Sequence, residues 1–118
     1  MCNVLLTREG DALTKQRTGD QFLTMLSALA NPHRLRILAA LIERQVYVSE
    51  LARELGMSRP LLHMHLKQLE KAGLVTGRHE VSADGRALRY FEVTAFRDEL
   101  TPERIAMAVE TLTEQSKS

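Results

Sequence analysis

The side chains with the clearest chemistry are cations gathered in the middle of the chain. Residues 58–89 carry Arg59, Lys67, Lys71, Arg78, Arg86 and Arg89 against Glu70, Glu80 and Asp84, whereas residues 90–118 hold three basic and six acidic side chains. This asymmetry within a formal net charge of +1 suits a surface that faces phosphates, although solvated faces also show such scatter. The spacing adds more. Arg59, His63 and Lys67 recur every four residues, so on a helix they share one side with Met64, with Gln68 towards its edge. Leu62, Leu66 and Leu69 fall on the opposite side as a continuous apolar stripe. An arginine near a helix start can bond a guanine edge or the adjacent phosphate, and Lys67 a phosphate. His63 can meet either, and Ser58 can cap the helix while offering polar groups to a nucleic-acid backbone. Arg78, Arg86 and Arg89 follow as a second group suited to phosphate or minor-groove contact, with Arg78 equally able to pair with a nearby acid. His65 sits beside the leucine stripe and is open between a semi-buried ring bonded to backbone and a nucleic-acid contact.

Other chemistries have no comparable pattern. Ser49, Ser58 and the four histidines have no spacing that builds an activated nucleophile, and no HExxH, P-loop or dinucleotide-binding motif occurs. His63 and His65 are two residues apart, so on a helix they diverge and cannot form a facing pair of metal ligands. No enzyme activity, metal or cofactor is expected. Cys2 is the single cysteine, so an internal disulfide is impossible; without cations around it, it reads as an inert thiol rather than a redox centre. No apolar run approaches the roughly 20 residues of a membrane span, and MCNVLLTREG lacks the basic segment of a signal peptide. A cytoplasmic protein is expected.

The elements that must position these residues can be read from caps and periodicity. At 118 residues and 44% apolar composition, the chain suits one folded domain that gains from a second subunit. Residues 1–19 read as an N-terminal arm, in which Val4, Leu5 and Leu6 can pack on a partner. Residues 20–118 read as the domain. A helix over 20–30 presents Phe22, Met25 and Leu26 on a broad apolar face. Asn31-Pro32 starts a second helix, over 32–44, expected to bury Leu35, Leu38, Ala39 and Ile42 and to leave Arg34 and Arg36 mainly solvated, one of them within reach of a phosphate. Val46 to Val48 has strand character, and Ser49 is expected to cap a helix with Leu51, Ala52 and Leu55 inside. Gly56 ends that helix, and Ser58 caps the next after a tight turn, which is helix-turn-helix spacing. Gly73 stops the basic helix. Strands over 74–80 and 88–93, joined by Ala83-Asp84-Gly85, then form a hairpin, or wing. Thr101-Pro102 opens a last helix with Ile105, Ala108, Val109 and Leu112 on its apolar face, suited to dimerisation, with an intramolecular lid as the alternative. The fold class is mainly α with a small β wing, a winged helix-turn-helix.

The runs LSALANPHRLRILAALIE, VSELARELGMSRPLLHMHLKQLEKAGLVTGR and DGRALRYFEVT, in that order, resemble the ArsR-type family of winged helix-turn-helix repressors over about residues 22–95. The resemblance implies that residues 58–69 are the recognition helix, that His65-Leu66 matches the family's His-Leu pair and that residues 85–90 lie in the wing. It further implies a cytoplasmic homodimer, joined through its first and last helices, that represses by occupying inverted-repeat operators in double-stranded DNA. Many members release DNA on binding an inducer; whether a small-molecule or protein effector acts here is open. The chain departs from the metal-sensing branches. SELAREL contains no cysteine, and no histidine follows His79 to join Asp98 as a ligand. The competing reading is a winged-helix protein-interaction module without DNA binding, favoured by the apolar Leu61 and Met64 on the recognition surface.

Overall fold

A computed structural model of the chain describes residues 16–113. Val4, Leu5, Leu6 and Cys2 lie outside the described residues. The elements run α1 (Gly19–Leu29), α2 (Pro32–Glu43), β1 (Val46–Tyr47), α3 (Val48–Leu55), α4 (Arg59–Lys71), β2 (Val75–Val81), β3 (Ala87–Val93) and α5 (Pro102–Glu110). This is the mainly helical chain with a small sheet that the sequence predicts. Among the described residues, no helix is long and apolar enough to cross a membrane. The described residues divide into two compact units, 23–99 and a second made of 16–22 with 100–113.

In the Leu23–Glu99 unit the caps fall where side-chain chemistry places them. Asn31 lies in extended backbone and its side-chain oxygen accepts from the N–H groups of His33 and Arg34, at 2.8 and 3.2 Å, while Pro32 opens α2. The three strands form an antiparallel sheet in the order β1-β3-β2, with Val46 opposite Phe91 and Gly77 opposite Phe91 on its other side. Helix α4 packs on α2, α3 and β2. Its Leu62, Leu66 and Leu69 are essentially fully buried, each stabilising the fold by about 1.5–3 kcal/mol.

Two expectations are corrected. The buried row of α2 is Ile37, Leu38 and Leu41; Leu35 and Ile42 are 52% and 68% exposed, and Ala39 is exposed. The helix is rotated from the expected phase, so that the row i, i+3, i+4, i+7 begins at Arg34, which is only partly exposed, instead of at Leu35. Ser49 does not cap α3. The chain passes directly from β1 into the helix, Val48 is buried in the first turn, and Tyr47 occupies the cap position without a side-chain cap bond.

The second unit is built around the start of α1 and the whole of α5. Thr101 accepts from the Arg104 N–H at 3.0 Å, with Pro102 in the first turn. The Gly19 N–H donates to Thr111 Oγ1 at 2.5 Å, and the Asp20 carboxylate accepts from the Thr113 N–H and hydroxyl at 3.0 and 2.8 Å. The Arg104 guanidinium lies 4.2 Å from the centre of the Phe22 ring, a cation–π contact. Backbone meets backbone closely here: a Cβ on residue 19 would lie 1.9 Å from the Ala108 carbonyl oxygen. Gly19→Ala therefore forces α5 away and should cost about 1–3 kcal/mol, the usual range for overpacking. Hydrogen exchange should show the loss of protection concentrated in residues 102–110. Unchanged protection there would contradict this contact.

Candidate nucleic-acid interface

The site begins with a turn. Gly56 takes the left-handed conformation, φ 64°, which a residue with a Cβ adopts only at a cost, and the Met57 N–H bonds the Ala52 carbonyl at 3.0 Å. The chain can then reverse within three residues. Ser58 lies in extended backbone and its Oγ accepts from the Leu61 N–H at 3.2 Å, so α4 starts capped, with Arg59 and Pro60 in its first turn. One side of α4, Leu62, His65, Leu66 and Leu69, is buried. The other side carries Arg59, His63, Met64, Lys67 and Gln68, all exposed. The leucines thereby fix the rotation of the helix and aim the polar side chains outwards.

The wing is a regular hairpin in which Arg78 faces Tyr90 and His79 faces Arg89. Its tip is preformed: Ser82 Oγ donates to Asp84, the Arg86 N–H donates to Ser82 Oγ at 3.1 Å, and Gly85 supplies φ 87°. The hydroxyl of Ser82, then the Arg86 N–H, hold the Asp84 carboxyl below its ordinary range. Arg86 is exposed, its Nε 3.9 Å from Asp84 Oδ2. Arg78 is also exposed but paired, Nε to Glu92 at 3.2 Å, which is the acid pairing left open from the sequence. Arg89 lies 5.0 Å from the centre of the Phe91 ring. Gly77 makes room for that stack, since a Cβ there would come within 3.0 Å of Phe91 and 3.1 Å of the Arg89 guanidinium. Sequence reasoning missed Gly77; its signal was a glycine inside a strand, which marks a close approach. Tyr47 also went unnoticed. Its hydroxyl donates to Glu80 at 2.7 Å, holding that acid to the sheet, and the bond raises the phenol's pKa.

Arg34 and His65 are placed differently from the rest. Arg34 is not a free solvated cation: its Nε donates to the Ala28 carbonyl at 2.6 Å and its Nη1 to His65 Nδ1 at 3.1 Å. His65 is 4% exposed, with a side-chain partner where a backbone one was weighed. Among the described residues, no cluster of three or more His, Cys, Asp or Glu is arranged to hold a metal ion.

A tight turn between two helices, a second helix with cations opposite its buried leucines, and a hairpin carrying three arginines directly after it define a winged helix-turn-helix DNA-binding regulator of transcription. Residues 31–76 match the model of the bacterial regulatory proteins of the arsR family. The chain is 40% identical over 73 residues to an uncharacterized HTH-type transcriptional regulator of Methanocaldococcus jannaschii, covering 62% of this chain and 76% of that one. It is 34% identical over 80 residues to the transcriptional activator HlyU of Vibrio cholerae, covering 68% and 74%. Among solved structures it is similar to the homodimeric winged helix-turn-helix DNA-binding domain of a possible ArsR-family regulator from Mycobacterium bovis. The TM-score is 0.58 and the identity 29%, with 74% of this chain and 69% of that chain covered. The chain belongs to the ArsR family, whose members are regulators and not enzymes.

Proposed function

We propose that this regulator binds an inverted-repeat operator as a homodimer, with α4 in the major groove and the wing at the adjacent backbone or minor groove, and represses by occupying the site. The observation that carries the reading is the two-sided α4: buried leucines lock its rotation while Ser58, Arg59, His63, Met64, Lys67 and Gln68 form the outward face. In this reading Arg86 and Arg89 contact DNA from the wing, and Arg78 does so only by leaving Glu92. A two-fold dimer presents two such helices, so half-sites should lie about one helical turn or a multiple apart.

The dimer reading rests on exposed apolar side chains of α5 and of the residues just after it: Ile105 and Val109 are 49% and 58% exposed in one chain, and Leu112, expected on the helix, lies beyond its end at Glu110 and is 38% exposed. Phe22, Met25 and Ala108 are already buried within the single chain, so they serve its own packing first; Leu26 is partly exposed. The Mycobacterium bovis domain is described as homodimeric, which supports the same arrangement here. Val109→Glu with Leu112→Glu would bury unpaired charge at such a contact. Sedimentation should show this variant as a folded monomer at concentrations where the wild type is a dimer. A folded variant that stays dimeric would remove α5 from the interface.

Selection of genomic fragments by the purified protein tests the function. Enrichment of an imperfect inverted repeat, with a reporter beside it that rises when the regulator is absent, is the expected result. A reporter that falls instead would give the chain the activating role named for HlyU. No enrichment at low salt would leave the protein-docking module as the better reading, with Leu61 and Met64 as its exposed apolar contacts.

A further inference from the structure

We propose that Arg34 and His65 are positioning residues for the recognition helix, and that the bridge they form couples operator binding to pH. The inference rests on the DNA-binding reading of α4 and adds a control to it. The Ala28 carbonyl belongs to the last turn of α1, Arg34 to the first turn of α2, and His65 to the middle of α4. One guanidinium joins all three, with Nε on Ala28 at 2.6 Å and Nη1 on His65 Nδ1 at 3.1 Å. The outward residues His63, Met64 and Lys67 lie within two positions of His65, so this bridge holds the backbone that presents them.

The geometry dictates the protonation state. A guanidinium only donates, so Nδ1 must offer its lone pair, and a neutral ring then carries its proton on Nε2. Protonation at Nδ1 would turn the acceptor into a donor pointed at another donor. The charged and titratable groups bearing on the ring are both from α2: Arg34, and His33 with its ring centre 5.5 Å away. Both are cationic when protonated. Burial first, then Arg34, then His33, hold the His65 ring below its ordinary range. An unfolded chain takes up this proton near pH 6.5, the folded chain only below that, so stability falls as pH drops from about 6.5 towards the depressed value.

Operator affinity should fall further down, where the ring of the folded protein itself takes up the proton, around and below its depressed value. A group that must be neutral in the bound state and titrates no higher than 6.5 in the free protein limits its own effect to about tenfold between pH 7.5 and 5.5. His33, His63 and His79 are exposed histidines outside the bridge, so the effect is read against a variant that retains them. His65→Gln offers a carbonyl to Arg34 and does not titrate. Arg34→Lys supplies one ammonium that cannot span both acceptors.

The test is fluorescence anisotropy of the three proteins on a duplex carrying the selected repeat and on a scrambled duplex, from pH 7.5 to 5.5, with NMR titration of the wild-type imidazoles without DNA. Expected are a larger pH-dependent loss for wild type than for His65→Gln, by at most about tenfold for each subunit, and a loss of operator preference in Arg34→Lys at every pH. The His65 ring should titrate below 6.5, with Nδ1 unprotonated in the neutral form. Coincident pH profiles for wild type and His65→Gln, or a proton on Nδ1, would overturn the inference. Failure of the wild type to bind either duplex would instead bring down the operator-binding reading, a result told apart from a missing bridge because the ring titration is read without DNA.

Discussion

Leu66→Ala is expected to destabilise the Leu23–Glu99 unit by about 2–5 kcal/mol, the range for removing a buried leucine from a core that cannot fully collapse. Leu66 is 1% exposed, and it lies on the helix that α2, α3 and β2 all pack against. Its neighbours Leu62 and Leu69 are held by the same contacts, so little can move to fill the void. Against a total stability of about 5–15 kcal/mol for a small domain, this is a large share. Urea denaturation should show a lower midpoint with an unchanged slope, which separates lost stability from a changed unfolded state. Operator binding should weaken with it, because the leucine row sets the rotation of α4. A midpoint shift corresponding to less than about 1 kcal/mol would mean that α4 is not anchored as described.

Arg59→Ala is expected to cost operator discrimination, by about 1–3 kcal/mol per half-site and twice that across a two-fold site, if the guanidinium bonds a guanine edge. Arg59 is exposed in the first turn of α4, the part of a recognition helix that meets base edges. Lys67 lies two turns further on and is expected to touch phosphate. Lys67→Ala should therefore weaken operator and scrambled DNA alike, and lower the salt slope by about 2 for the dimer. The two patterns differ in kind, so neither variant needs an absolute affinity to be interpreted. If Arg59→Ala leaves discrimination unchanged, the regulator stands and Arg59 loses its role.

Much of the fold was legible in the sequence because it depends on local chemistry. Asn31-Pro32, Gly56, Ser58 and Thr101-Pro102 each mark a helix end, and all act as such. The recognition helix was equally plain, since its apolar and polar residues separate cleanly. Helix α2 was not, because it carries two apolar rows that share Leu38. Choosing the row through Ile37 and Leu41 means placing Arg34 at its edge, which looks unfavourable until His65 and the Ala28 carbonyl are seen to receive it. Ser49 misled for a related reason: the pairing of Tyr47 with Tyr90 in the sheet sets where α3 begins, and no local pattern reports that. In the wing, the cations were visible but not every partner was. Glu92 reaches Arg78 only once the register of β2 on β3 is known, whereas Phe91 follows Arg89 by two residues on β3 and so shares its face of the sheet.

The central claim, that this chain reads DNA through α4, is tested most directly by fluorescence anisotropy of the wild type on its selected repeat and on a scrambled duplex over a series of salt concentrations. The expected result is tight binding to the repeat, weaker binding to the scrambled duplex, and a log affinity falling linearly with log salt for both, as phosphate contacts release condensed counterions. Equal affinity for the two duplexes at every salt concentration, or binding to neither even at low salt, would contradict it.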